Sequence, residues 1–241
     1  MILAIDSSGT VASVALLDQD TDILVAEYTI NNKMTHSQTL LPMIKEIMDR
    51  SGTGLDEIDA IAIAEGPGSF TGLRIGASTA KGLGLVLKKP LVPVPTLEGL
   101  AFQFFGTDRL ICPVMDARRN QVYTGIYEFQ AAGTGNLMKD KDFSVVRQQS
   151  AMDIHDLIAQ LNDLGREVIF LGDGVPVYGE TISKELEAGY MFAPAMSSRQ
   201  RAGAVAALGA YYFSRGRVQT AAQHVPEYLR ASQAERERAG Q

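Results

Sequence analysis

Cysteine, histidine and basic charge are scarce in this chain of 241 residues, and each scarcity removes a class of chemistry. A single cysteine, Cys112, rules out an internal disulfide and suggests a reducing compartment. The histidines, His36, His155 and His224, stand far apart with no second ligand at helical or loop spacing, so no metal site is expected. Lysine and arginine number 22 against 28 acidic residues, giving a net charge of −6 with no long basic stripe. Affinity for nucleic acid rests largely on neutralising phosphates, so this chain is a poor candidate for gripping one alone. No apolar run approaches the roughly 20 residues that span a bilayer. The start, Met1-Ile2-Leu3-Ala4-Ile5-Asp6, has no basic segment before its apolar stretch and reads as a first strand, not a signal peptide. The expected location is the cytoplasm.

What is present is a globular composition, 46% apolar and 21% charged, in a chain long enough for a real core. Residues 2–6, 12–17 and 22–30 predict three short strands, punctuated by polar turns at 7–10 and 18–21. A helix over 37–50 follows, with Leu40, Leu41, Ile44, Ile47 and Met48 on one stripe. Pro42 is expected to kink that helix or end its first turn, because it lacks an N–H. A strand at 59–64, a glycine loop at 65–72, a long helix to Leu87, a strand at 90–94 and a helix at 96–105 capped by Thr96 complete a βββαβαβα lobe over 1–105.

The theme then restarts in a second lobe over 106–198. Strands at 110–115 and 121–129 flank a turn at 116–120, with a loop or hairpin end at 131–142. A helix at 152–164, a strand at 167–171 ending in Gly172-Asp173-Gly174 and a helix at 176–187 follow. The final helix, 199–215, is expected to pack back on the first lobe, and the last ten residues of the tail 218–241 are expected to be disordered. Both halves open on a strand–turn–strand centred on an aspartate, Asp6 and Asp116, which predicts two related α/β lobes.

Two features could carry function. A strand-ending aspartate followed by Ser or Gly can form a phosphate-binding hairpin, and Gly66-Pro67-Gly68-Ser69-Phe70-Thr71-Gly72-Leu73-Arg74 has the form of an anion cradle at a helix start. Asp6, Ser7, Ser8, Gly66, Gly68, Arg74 and Asp173 are therefore candidates for a vestigial nucleotide or anion site. Against it, Arg118 and Arg119 stand in the second hairpin where glycine would admit a phosphate, and no Lys-Ser/Thr pair follows the loop. The plainer reading is a pair of stabilised turns and a tight strand-to-helix connection. The second feature is the recurrence of Gly72, Gly76, Ala80 and Gly84, a stripe suited to close helix approach, either to the lobe's own sheet or to a partner helix. Apolar residues on more than one face of that helix imply burial on more than one face.

Taken together, MILAIDSSG, THSQTLLPMI, AIAEGPGSFTGLRIGASTAKGL, VPTLEGLA, PVMDARRNQVYTGIY and PEYLRASQAE resemble the bacterial TsaB family, formerly YeaZ, across nearly the whole chain. The resemblance implies a two-lobe α/β fold of the actin/Hsp70/hexokinase (ASKHA) type. It also implies a non-catalytic dimerisation subunit in tRNA threonylcarbamoyladenosine formation, with no cofactor of its own. Its partners would be the catalytic paralogue TsaD and the ATPase TsaE, with tRNA reached only through the complex and a homodimer when alone. The helices near 37–50 and 71–87 would face the partner through His36, Leu40, Leu41, Ile44, Ile47, Met48, Phe70, Leu73, Gly76, Thr79, Ala80 and Leu83. The paralogue carries a His-x-x-x-His metal pair, whereas four residues after His36 stands Leu40. The competing reading is an independent ATPase or kinase of the same fold, or a glycoprotease-like metallopeptidase. From the charge balance, the isolated chain should give no gel shift of tRNA at submicromolar protein and physiological salt; a shift there would contradict the reading.

Overall fold

A computed structural model describes residues 1–32, 34–131 and 141–230. The chain divides into two compact units, Met1–Gly99 with Gln200–Gln241, and Leu100–Arg199. In the first unit β1 (Ile2–Asp6), β2 (Ala12–Asp18), β3 (Ile23–Ile30), α1 (His36–Ser51), β4 (Ala60–Gly66), α2 (Phe70–Leu87) and β5 (Leu91–Pro95) follow in order, and α3 (Thr96–Phe102) crosses into the second. The strands form one sheet in the order β3-β2-β1-β4-β5. β1 is antiparallel to β2 and parallel to β4, and all five of its residues are buried, as expected of an Ile/Leu/Ala strand covered on both faces.

The second unit holds β6 (Leu110–Asp116), β7 (Gln121–Ala131), β8 (Lys141–Asp153), α4 (Ile154–Leu164), β9 (Val168–Leu171), α5 (Val175–Glu185) and β10 (Tyr190–Phe192). Its sheet order, β10-β9-β6-β7-β8, repeats that of the first unit read from the other edge. β6 takes the place of β1, with β7 antiparallel on one side and β9 parallel on the other. Each half runs βββαβαβα once α6 (Ala202–Ser214) is counted as the last helix of the second. This is the duplicated, hairpin-led α/β architecture of the ASKHA fold. Among the described residues no helix is long and apolar enough to cross a membrane.

Alternation decides which helices cover which face of the first sheet. Leu3, Ile5, Val14, Leu16, Ile61 and Ile63 point to one face and pack with Leu40, Met43, Ile44, Ile47 and Met48 of α1 and with Ala80 of α2. The opposite face is covered by α6, whose Gly209 would meet the Ala62 Cβ at 2.6 Å if it carried a Cβ of its own. The small residues of α6 therefore let helix and sheet approach closely.

Several expectations are corrected. The α1 stripe was assigned to a partner, but Leu40, Ile44, Ile47 and Met48 are 0–7% exposed within the unit's own core, and only Leu41 points outward at 55%. The small-residue stripe of α2 likewise faces the unit's own interior: a Cβ on Gly76 would lie 2.3 Å from Ser7 Oγ and one on Gly84 3.1 Å from Leu91 Cδ2, and Leu73 and Ala80 are buried. Pro42 does not end α1, which runs on from His36 to Ser51; it and Gln38, whose carbonyl it leaves without an amide partner, lie on the exposed face. Thr96 caps nothing; it is the first helical residue and its buried hydroxyl lacks a partner. α3 ends at Phe102, short of the expected 105.

β8 was not foreseen; its C-terminal end takes Met152 and Asp153 from the expected helix, and Asp153 then caps α4 by accepting the His155 N–H at 2.9 Å. The expected loop at 131–142 falls mainly on residues outside those described, as does the tail beyond 230.

Substituting Gly76→Leu should therefore lower the stability of the folded chain by about 1–3 kcal/mol or more through overpacking, read by denaturant unfolding. Gly82→Ala on the same helix, where a Cβ meets nothing within 4 Å, should instead stabilise by up to about 1 kcal/mol.

Candidate functional site

The turn after β1 and the glycine loop after β4 meet because their parent strands are parallel neighbours. Their contact is between backbones. A Cβ on Gly68 would lie 2.2 Å from the Ser8 carbonyl oxygen, and one on Gly72 would lie 2.1 Å from that of Ser7. Ser69 donates its N–H to the Ser8 carbonyl at 2.7 Å, and Ser7 Oγ donates to the Gly72 carbonyl at 2.9 Å. Gly9 is closed over by the Gln200 side chain, which a Cβ there would meet at 2.6 Å.

Asp6 sits beneath this contact with its carboxylate turned into its own loop. Its Oδ1 accepts the Ser8 N–H at 2.9 Å and the Ser8 hydroxyl at 2.6 Å. Burial pushes its pKa up to about 6, opposed by the Ser8 hydrogen bonds and the proximity of His36. His36 opens α1 and its Nε2 lies 2.9 Å from the Gly9 carbonyl oxygen. Three amides of the loop after β4 bond within the chain. The Ser69 amide is bound to Ser8, the Gly72 amide to Ser69 Oγ at 3.2 Å and the Leu73 amide to the Ser69 carbonyl at 2.8 Å. Ser69 serves as an N-cap, and the glycines make room for backbone, not for a ligand.

Gly66 admits a different segment. Its φ is +134°, a conformation that glycine adopts readily, and a Cβ there would lie 2.1 Å from the Glu227 carbonyl oxygen. The Glu227 N–H donates to the Glu65 carbonyl at 2.7 Å, so the tail runs against the loop. The next residue, Tyr228, stacks on Phe70 with centroids 4.4 Å apart and planes inclined by 4°. Arg74 donates its Nε–H to Tyr228 Oη at 3.2 Å, its guanidinium 5.8 and 5.9 Å from the Phe70 and Tyr228 ring centres. Burial, then the charge of Glu227, pushes Glu65 up to about 7. This tail contact was missed from sequence, where the Pro-Glu-Tyr-Leu-Arg run was read only as tail.

Asp173 belongs to the second unit. It accepts the Asp116 N–H at 3.3 Å, while a Cβ on Gly172 would lie 2.2 Å from the Val114 carbonyl oxygen. Asp116 mirrors Asp6, accepting the Arg118 N–H at 2.8 Å and the Tyr178 hydroxyl at 3.1 Å. Arg118, Arg119 and Asn120 all have positive φ (65°, 57° and 58°), so the turn closes without a glycine. Among the described residues no three His, Cys, Asp or Glu side chains converge as metal ligands.

Outside the loop, α1 and α2 leave a groove of about 490 Å³ between them. Its walls include His36, Leu41, Thr71, Arg74, Ile75, Ser78 and Thr79. Of the residues expected at an interface, His36, Phe70, Thr79 and Leu83 are partly exposed and Leu41 is fully so; the others lie beneath.

The family model described as "TsaD: tRNA N6-adenosine threonylcarbamoyltransferase" matches residues 24–238. The chain is 34% identical over 236 residues to the tRNA threonylcarbamoyladenosine biosynthesis protein TsaB of Bacillus subtilis, covering 97% of this chain and 96% of that protein. It is 39% identical over 125 residues to the protein of the same name from Haemophilus influenzae, 51% of each chain. The solved structure of YeaZ from Pseudomonas aeruginosa superposes with a TM-score of 0.78 at 26% identity, over 95% of this chain and 99% of that one.

Asp6→Asn keeps an oxygen that can accept both Ser8 bonds but cannot ionise. In the wild type the folded pKa lies above the unfolded one, so the folded state binds more protons between about pH 4 and 6 and loses stability as pH rises through that window. The variant should therefore gain on the wild type by about 3 kcal/mol at most between pH 4 and 7, measured by urea unfolding. A flat difference would remove the buried-carboxyl account.

Proposed function

The chain belongs to the TsaB family, and on that premise we propose that it is a subunit of the machinery forming tRNA threonylcarbamoyladenosine, supporting a catalytic paralogue of the TsaD kind without performing the transfer. One observation carries the reading. The loop with the form of an anion cradle is filled by the chain's own backbone, and its Ser69, Gly72 and Leu73 amides are already bound within the chain. A fold of nucleotide-handling type closed at that place contributes through its surface. The surface we assign is the α1–α2 groove, with His36, Leu41 and Thr79 in its wall, together with the partly exposed Phe70 and Leu83 of α2; Leu40, Ile44, Ile47, Met48, Leu73, Gly76 and Ala80 are buried beneath the helices.

In this reading TsaE joins the assembled pair, tRNA is met only in the complex, a second copy occupies the groove when the paralogue is absent, and the setting is the cytoplasm. An ATPase or kinase of the same fold would need room for phosphates at its hairpin turns, where Arg118 and Arg119 stand in place of glycine. Titration with ATP and magnesium should accordingly give no binding heat.

The decisive test is threonylcarbamoyl transfer to tRNA by TsaD with and without this chain. Transfer should depend on it, and Leu41→Glu, an exposed site, should leave the melting temperature unchanged while weakening pairing and transfer by roughly tenfold or more. Full transfer without the chain would end the subunit reading. Full transfer with the variant would end the groove assignment.

A further inference from the structure

Arg74 is the one guanidinium or ammonium group in the groove wall, and that wall carries no carboxylate. It is also held. Its Nε donates to Tyr228 Oη, and its guanidinium lies beside the Phe70–Tyr228 stack, 5.8 and 5.9 Å from the two ring centres on the side of the tyrosine hydroxyl, an arrangement that restrains an otherwise flexible side chain. Tyr228 in turn is fixed because the preceding residue, Glu227, bonds the Glu65 carbonyl over Gly66. Among the described residues Arg74 has no acidic partner, although its side chain is exposed.

We propose that the tail segment 226–230 is a positioning device that presents Arg74 in the α1–α2 groove to a carboxylate on the partner subunit, and that this contact favours the paralogue over a second copy of the chain. The proposal rests on the groove reading above. Charge complementarity selects the occupant. Symmetric self-pairing brings the same patch against itself, so a wall without carboxylates faces another such wall. The acids of α1, Asp49 and Glu46, are already paired with Lys45 and Arg50. A partner with a free Asp or Glu opposite Arg74 gains a bidentate, pre-organised ion pair that a second copy cannot offer.

The test measures the affinity of the full chain for TsaD and for itself by sedimentation, with melting temperatures as the fold control. Arg74→Ala should weaken TsaD pairing about tenfold and change self-association by less than about threefold. Tyr228→Phe, which keeps the stack but loses the hydroxyl, should weaken TsaD pairing by a smaller factor, and Tyr228→Leu by more. Neither should have a further effect in the Arg74→Ala background, because a positioning residue acts only through the group it positions. Equal losses of TsaD pairing and self-association in Arg74→Ala would overturn the selectivity. A full additional loss from Tyr228→Leu in that background would overturn the positioning role. If Arg74→Ala stays within about twofold while Leu41→Glu breaks TsaD pairing, the groove stands and this inference fails. If Leu41→Glu is silent as well, the groove assignment fails and takes this inference with it.

Discussion

The first unit depends on one contact, the close approach of the glycine loop to the carbonyls of Ser7 and Ser8. Gly68 and Gly72 each leave just enough room for a main-chain oxygen, and Gly66 does the same for Glu227. A Cβ at any of the three would sit 2.1–2.2 Å from a carbonyl oxygen, which no rotamer change relieves because the clash is with backbone. The approach brings the start of α2 onto the end of β1, and so fixes where α1 and α2 lie. It also takes up the Ser69 amide, while the Ser69 hydroxyl takes that of Gly72, two of the groups a helix start would offer an anion. The same geometry that stabilises the connection therefore removes the ligand site that it outwardly resembles.

Duplication makes the contrast between the halves informative. Both sheets place an aspartate at the end of the central strand, and both aspartates accept the amide two residues on. Asp6 is buried at 2% exposure under the loop, and its charge is costly enough to raise the pKa to about 6. Asp116 bonds instead to Tyr178 and Arg118. An aspartate whose carboxylate accepts the amide two residues on acts as an Asx turn, the side chain standing in for a backbone partner. In the second half three consecutive positive φ angles close the turn with Arg, Arg and Asn.

Much of this was legible from residue order, for reasons that also mark the limit. β1, β2, β4 and β9 announce themselves as Ile/Val/Leu/Ala runs between polar turns, because strands buried on both faces need little else. β8 left no such signal: Lys141–Asp153 mixes charged, polar and apolar residues and is held by pairing along β7. The α1 stripe was visible as an apolar face, but a stripe says that a face is buried and not against what. Only the sheet's alternation, with Leu3, Ile5, Ile61 and Ile63 on the same side, assigns it to the core. The Arg74–Tyr228 contact spans 154 positions and leaves no local signal, although Phe70 and Tyr228 each belong to a run singled out by resemblance.

What the packing leaves outside then sets the character of the surface. Because the best apolar side chains of α1 and α2 are committed to the sheet, the groove between them offers Leu41 and part of Ile75 among hydroxyls, His36 and Arg74. Permanent homodimer interfaces resemble a domain core cut in half, whereas non-obligate ones are little more apolar than ordinary surface and rely on a few anchors. This wall has the second composition. On the proposed reading its specificity rests less on apolar area than on where the Arg74 guanidinium points. That orientation is set by residues far along the chain, so a change in the tail alters the groove without touching either helix.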